Sequence, residues 1–225
     1  MLRKFTIAID GPVGSGKGTL GIALAQKLNA LYLYTGGMYR ALTLACLREN
    51  IDLHNEEKVL EVLKTVNIDL DISQKGTKVF LEKELVNDKL FLPEVSNAVP
   101  IVAAISKVRQ EMVKRQRKIV EGQSAIIEGR DIATDVVPYA DLKIFLTASV
   151  NVRAQRRYQQ FLGRGIKKSF EEVLAETQER DRKDAEREAS PLIVAKGAIV
   201  IDTTDDTIEE TVEKVMEKVR EKGLA

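Results

Sequence analysis

The sequence predicts an α/β fold: a parallel sheet covered on both faces by helices. Three observations predict it. Short apolar, often β-branched runs recur at residues 5–9, 30–33, 124–127, 141–147 and 198–202. Helical patterns with apolar residues three and four apart separate them. The first run passes into a glycine-rich loop and then a helix. The chain has 225 residues, enough for one large domain or a domain carrying an insert.

The opening stretch, residues 5–20, organises the rest. Residues 5–9 have the length and composition of a buried strand. Gly11, Pro12, Val13, Gly14, Ser15 and Gly16 form the loop, and from Lys17 the pattern becomes helical, with Leu20, Ala23, Leu24 and Leu28 on one face. This is the context of a phosphate-binding loop. A polyphosphate needs many donors at short range, and consecutive backbone N–H groups supply them where no side chain intrudes. The helix N-terminus adds unpaired N–H groups and a favourable dipole. Lys17 adds a mobile charge for the β- and γ-phosphates, and a hydroxyl can hold magnesium. Here Gly18 follows the lysine and the hydroxyl arrives one residue later, as Thr19. The form G-x-x-G-x-G-K-G-T is the variant common among nucleoside and nucleotide kinases. The competing reading is a glycine turn with a capping threonine, but six specified positions match by chance on the order of one time in a million.

A second short strand at 30–33 turns through Thr35-Gly36-Gly37 into a helix with Met38, Leu42, Ala45 and Cys46 on one face. Arg40 stands near that helix's N-terminal end, where the dipole disfavours a cation. It reads either as an anion ligand or as an ordinary solvated arginine. Residues 56–66 form an amphipathic helix. Residues 68–92 change character: polar and apolar residues alternate, broken at Lys75-Gly76, as in strands with one wet face. They are expected to form a small antiparallel insert, leaving 1–67 and 93–225 as the core. Residues 94–120 are mostly helical, with a break or kink expected near Pro100. The strand at 124–127 leads into Glu128-Gly129-Arg130-Asp131. A helix at 150–162 carries Arg153, Arg156 and Arg157. Ser169 and Glu172 make a capping box for a long charged helix reaching about residue 188, and Thr207 with Glu210 cap a last one.

In open parallel sheets ligands bind beyond the carboxyl ends of the strands. Residues 10–19, 34–40 and 128–131 lie at such ends. Phosphoryl transfer between nucleotides is mainly positioning and charge neutralisation, and arginine grips phosphate through two parallel bonds. Arg180, Asp184 and Arg187 are spaced to share one helix face. A solvated face laced by weak ion pairs is the competing reading.

The net charge of +1 and an aromatic content of 5% argue against nucleic-acid binding, and no apolar run is long enough to span a bilayer. The single cysteine, Cys46, excludes an internal disulfide and is expected in the core; the lone His54 lies in a polar loop. A cytoplasmic location is expected.

Taken together, IAIDGPVGSGKGT, TGGMYRAL, PEVSNAV with VRQEMVKRQR, EGRDIAT, LKIFLTAS, RAQRRY and ERDRKDAEREASPL resemble the bacterial cytidylate kinases over nearly the whole chain. The resemblance implies a P-loop nucleoside-monophosphate-kinase core, a CMP-binding insert at 68–92 and a short helical lid at about 153–168. It implies transfer of the γ-phosphoryl of ATP to CMP or dCMP with magnesium, by a monomer. It places Gly11 to Thr19 on the ATP phosphates, with Lys17 bridging to the moving group and Thr19 on the metal. Arg40 and Arg130 fall on the CMP phosphate beside Thr35, Arg109 and Asp131 on the cytosine edge, Arg180 and Asp184 on the ribose, and Arg187 near the acceptor phosphate. Arg153, Arg156 and Arg157 match the lid, with Arg130, Arg153 and Arg157 joining Lys17 in catalysis. This chain departs from the family pattern at Tyr34 and Glu128, where the family has aspartate, and at Ala133, where it has glycine. Pro100 stands where a family serine contacts cytosine, and Ser96, one turn earlier, is expected to supply a hydroxyl instead. A kinase of another monophosphate such as UMP is the nearest alternative. A nucleotide-binding switch without catalysis is the alternative of another class, and an intact Lys17 with a separate arginine set argues against it.

Overall fold

Strand and helix alternate as the hydrophobic pattern demands. The computed structural model describes residues 3–224. In chain order the elements begin with β1 (Thr6–Asp10), α1 (Lys17–Lys27), β2 (Leu31–Tyr34), α2 (Thr35–Arg48) and α3 (Glu56–Thr65). The insert follows as β3 (Ile68–Ser73), β4 (Gly76–Leu81), β5 (Glu84–Leu85) and a 3₁₀ turn at Lys89–Phe91. Next come α4 (Pro93–Ala104), α5 (Ser106–Val120), β6 (Ala125–Gly129), a π-helical turn at Ile132–Val136 and β7 (Leu142–Thr147). The chain closes with α6 (Val150–Gly163), α7 (Phe170–Glu186), β8 (Ile199–Asp202) and α8 (Ile208–Glu221).

Five strands pair in parallel in the order β2-β6-β1-β7-β8, which puts the first strand at the centre. Alternate residues of β1 serve opposite faces. Ile7 and Ile9 pack with Leu20 and Leu24 of α1 and Val212 and Val215 of α8. Ala8 faces the other way, toward Val120 of α5 and Ile132 and Val136 of the π turn. Each buried leucine or isoleucine contributes roughly 1.5–3 kcal/mol, so these two layers fix the sheet.

The insert forms a three-stranded antiparallel sheet in which β3 alternates half-buried and exposed residues, as the sequence predicts. Val79 and Leu81 of β4 join a core made with α2, α4 and α5. The outer edge of β2 is closed by one side chain of this insert: Thr77 Oγ1 accepts from Tyr34 N–H at 3.0 Å and donates to Tyr32 O at 2.6 Å.

Two expectations about helices are refined. The expected break lies not at Pro100 itself but at Ile105 (φ −69°, ψ 114°), and the helix runs through the proline to Ala104. Buried Val95, Val99 and Val102 flank the proline along one stripe, and their packing holds the helix across the hydrogen bond that proline cannot make. The long charged helix ends at Glu186 rather than near 188, so Arg187 lies just outside it with extended backbone (φ −63°, ψ 139°). Pro191 follows shortly and biases the preceding chain away from helix.

Candidate active site

The P-loop is shaped by glycines that nothing else could replace. Gly11 has φ +148°, and a Cβ there would fall 2.0 Å from Leu146 O of the neighbouring strand. Gly16 caps α1 in the left-handed region at φ +93°. The loop thereby presents its amides at the start of α1. Lys17 is buried, and its Nζ donates to Pro12 O at 2.7 Å and approaches Ser15 Oγ at 3.4 Å. Burial, and then the Arg130 charge, pull its ammonium down to about 7, while Glu128 and Asp184 oppose them.

Across from Lys17 stands Glu128, at the carboxyl end of β6. It is buried, and its Oε2 has no hydrogen-bond partner. Burial holds its pKa above the usual carboxylate range, with Lys17 pulling the other way. A Cβ on Gly18 would lie 3.7 and 3.8 Å from its two oxygens, so the carboxylate borders the start of α1 beside Thr19. Asp10, at the end of β1, has a different task. Its two oxygens accept from Ile132 N–H and Ala133 N–H, both at 2.8 Å, which ties the π turn to the sheet. Burial nonetheless raises its pKa to about 6.

Beyond the carboxyl ends of β2 and β6 the cleft widens. Thr35 Oγ1 donates to Glu128 O at 2.7 Å and fixes the start of α2. Arg40 donates to Leu90 O at 2.7 Å and to Ser96 Oγ at 3.0 Å, with its guanidinium 4.9 Å from the Phe91 ring centroid. Ser96 thus serves Arg40. Tyr34 stacks on Phe91, with ring centroids 6.1 Å apart and planes 7° from parallel. Arg109 pairs with Asp131 and donates to Ala103 O at 3.0 Å, and its Nε has no partner. Arg187 Nη2 lies 3.9 Å from the other Asp131 oxygen.

Helices α6 and α7 bring further arginines. Asp184 is buried and joins two of them: Arg130 Nε donates to its Oδ2 at 2.7 Å and Arg180 Nε to its Oδ1 at 3.1 Å. Burial alone would raise its pKa, but Arg130 and Arg180 hold it at about 2. Arg157 has a buried Nε with no hydrogen-bond partner. Burial and the nearby charges of Arg180, Arg40 and Arg130 lower its pKa to about 10, against the pull of Glu176. So many guanidinium groups around so few carboxylates make a site suited to an anion.

One cleft of about 1030 Å³ runs through all of this. Val13 to Thr19 line one part of it, and Arg130, Arg157 and Arg180 face the same space. Thr35, Arg40 and Ser96, with Arg109, Asp131 and Arg187, line the other part. Gly11, Pro12, Arg153 and Asp184 do not reach it; they stand behind residues that do. No motif assigns Glu128 a task, although a lone charge ending a buried strand is a usable sign. The cleft also extends toward Thr203, Asp206 and Thr211, after β8. Arg156 donates to Thr203 Oγ1 at 3.0 Å and Thr203 O at 2.7 Å, and Thr203 Oγ1 donates to Ser15 O at 3.3 Å. No motif in the sequence marks these threonines.

Comparison with known proteins bears on this arrangement. The family model described as cytidylate kinase matches residues 7–221. A protein of Caldanaerobacter subterraneus subsp. tengcongensis called cytidylate kinase is 48% identical over 199 residues, 88% of this chain and 87% of that protein. One of the same name from Bacillus subtilis is 46% identical over 204 residues, 91% of each. Among solved structures, an uncharacterized protein from Eubacterium ventriosum shares the fold, with a TM-score of 0.53 and 13% identity over 96% of this chain and 99% of that one.

Proposed function

We infer the reaction from one premise: the chain belongs to the cytidylate kinase family. It transfers the γ-phosphoryl group of ATP to CMP or dCMP, giving ADP and CDP or dCDP. The observation that best supports this reading is the single cleft lined both by the P-loop and by a separate arginine cluster. Two polyanions can meet there only if fixed cations offset their repulsion.

In this reading Val13 to Thr19 hold the ATP phosphates, Gly11 and Pro12 shape the loop behind them, and Lys17 follows the moving group. Its lowered pKa in the free protein rises once a polyphosphate sits beside it. Arg130, Arg157 and Arg180 face the space between donor and acceptor. Arg40, held by Ser96 and Leu90 O, serves the CMP phosphate, with Arg130 and Arg187. Asp184, behind the cleft, orders Arg130 and Arg180 and acts on the ribose only through them. Arg109 and Asp131 offer a donor and an acceptor to the cytosine edge, and a buried polar edge discriminates bases better than shape does. The acceptor phosphate is already an anionic nucleophile, so no general base is required.

Magnesium fits the residues present. The hydroxyl of Thr19 and the unpartnered, buried Oε2 of Glu128 are hard oxygen donors bordering the same end of α1. Among the described residues there is no group of three or more His, Cys, Asp or Glu that could hold a metal ion. That suits magnesium, which keeps waters and shares itself with substrate phosphates. When bound, the ion neutralises charge on the transferring phosphates.

An ADP-release assay across CMP, dCMP, UMP and AMP tests the reading. CMP and dCMP are expected to be preferred over UMP by at least about tenfold, the cost of leaving one buried donor or acceptor of the site unpaired. Equal turnover of all four would contradict it, and turnover of UMP alone would favour the alternative acceptor.

A further inference from the structure

The P-loop rests on a side chain that does not line the cleft. Arg153 is buried at the start of α6, and each arm of its fork is used. Nε donates to Ala148 O at 2.8 Å, Nη1 to Val13 O at 3.2 Å, and Nη2 lies 2.7 Å from Asp181 Oδ2. Its backbone supports the same loop: a Cβ on Gly14 would fall 2.7 Å from Arg153 O. Arg153 therefore sets where the Val13 carbonyl points and where Gly14 sits.

Asp181 aims that fork. It lies on α7 next to Arg180 and one turn from Asp184. Its Oδ1 is buried with no hydrogen-bond partner, so the carboxylate is committed to Arg153 and incompletely repaid for its burial. Apolar packing would join α6 to α7 at less cost, because desolvating an ion pair consumes much of its attraction. What an ion pair adds is direction. A guanidinium bound on three sides has one orientation, and the loop above inherits it.

We propose that Asp181 is a positioning residue for the donor half of the cleft: through Arg153 it holds Val13 and Gly14 in the geometry that receives the ATP polyphosphate. The proposal rests on the reading of the P-loop as the ATP site, and it goes beyond that reading in assigning a role to a residue that touches neither nucleotide. On the same helix Asp184 orders Arg130, which serves the CMP phosphate, so a general loosening of α7 would raise KM for CMP as well, whereas a loss of loop positioning alone would not.

Steady-state kinetics of Asp181→Asn, with ATP and CMP varied in turn, separate the two. KM for ATP is expected to rise about tenfold or more, as small displacements of positioning groups do, while KM for CMP stays within about twofold. Asp181→Glu, which keeps the carboxylate, restores most of the loss. Arg153→Lys, which keeps the charge but loses the fork, reproduces the ATP defect, and combining it with Asp181→Asn adds little further. An unmoved KM for ATP in Asp181→Asn, a rise for CMP alone, or fully additive effects would overturn the proposal. Should Asp181→Asn fail to fold, Arg153→Lys decides between the same two outcomes. Calorimetric titration of the wild-type protein with a non-hydrolysable ATP analogue distinguishes the failures. No binding would overturn the kinase reading and this proposal with it, whereas normal binding with an unmoved KM in the variant would overturn this proposal alone.

Discussion

Lys17 shows how the site sets a residue against its own chemistry. Burial and the neighbouring Arg130 lower its pKa to about 7, so the free protein loses this charge as pH rises through that value. The charged form is the one that grips phosphate. ATP affinity in the free protein is therefore expected to weaken above about pH 7, by up to about tenfold per pH unit, where one proton is linked to binding. Lys17→Arg, charged throughout, should not show that limb. Calorimetric titration across pH checks it, and an affinity that holds steady or tightens up to the ordinary lysine range would contradict the role. Lys17 was legible in the sequence because motif spacing alone marks it. Asp10 and Glu128 were harder. Both are single carboxylates ending buried strands, yet one binds two backbone amides and the other is left with an unpartnered oxygen. Only the π turn, which no periodicity announces, separates their tasks.

At the scale of elements, the parallel strands were readable because strands buried on both faces appear as continuous apolar runs. The insert was readable because its strands alternate. The way the insert meets the edge of β2 was not, since there the polar contact is made by one hydroxyl. Thr77 bridges Tyr34 N–H and Tyr32 O in place of a further strand, and Asn87 Nδ2 braces it by donating to Thr77 O at 3.0 Å. Thr77→Val removes both bonds at nearly constant volume and leaves a half-buried amide and a buried carbonyl unpaired. We expect a loss of about 1–3 kcal/mol, read from the urea midpoint, with Thr77→Ser close to wild type. A Thr77→Val protein as stable as wild type would show that packing of Val79 and Leu81 suffices. Pro100 teaches the converse lesson. Local propensity places a break there, but burial of the residues on either side outweighs one missing hydrogen bond, and the chain bends instead at Ile105.

Over the whole molecule, the sheet order places the first strand at the centre and the carboxyl ends of β1, β2 and β6 around one cleft. Helices α6 and α7 close that cleft from the other side with arginines contributed from far along the chain. That convergence is what the scattered motifs could only imply, because spacing along a chain does not fix distance across a fold. For phosphoryl transfer both nucleotides must occupy this cleft together, with phosphates adjacent. Calorimetric binding of a bisubstrate ligand, adenosine joined to cytidine through a polyphosphate bridge, measures this most directly. It should bind at least about 100-fold tighter than either ATP or CMP alone, since the second half then binds intramolecularly, and Arg130→Ala should abolish most of that gain. A bridged ligand that binds no tighter than ATP by itself would show that the two halves do not share the cleft, and would contradict direct transfer between them.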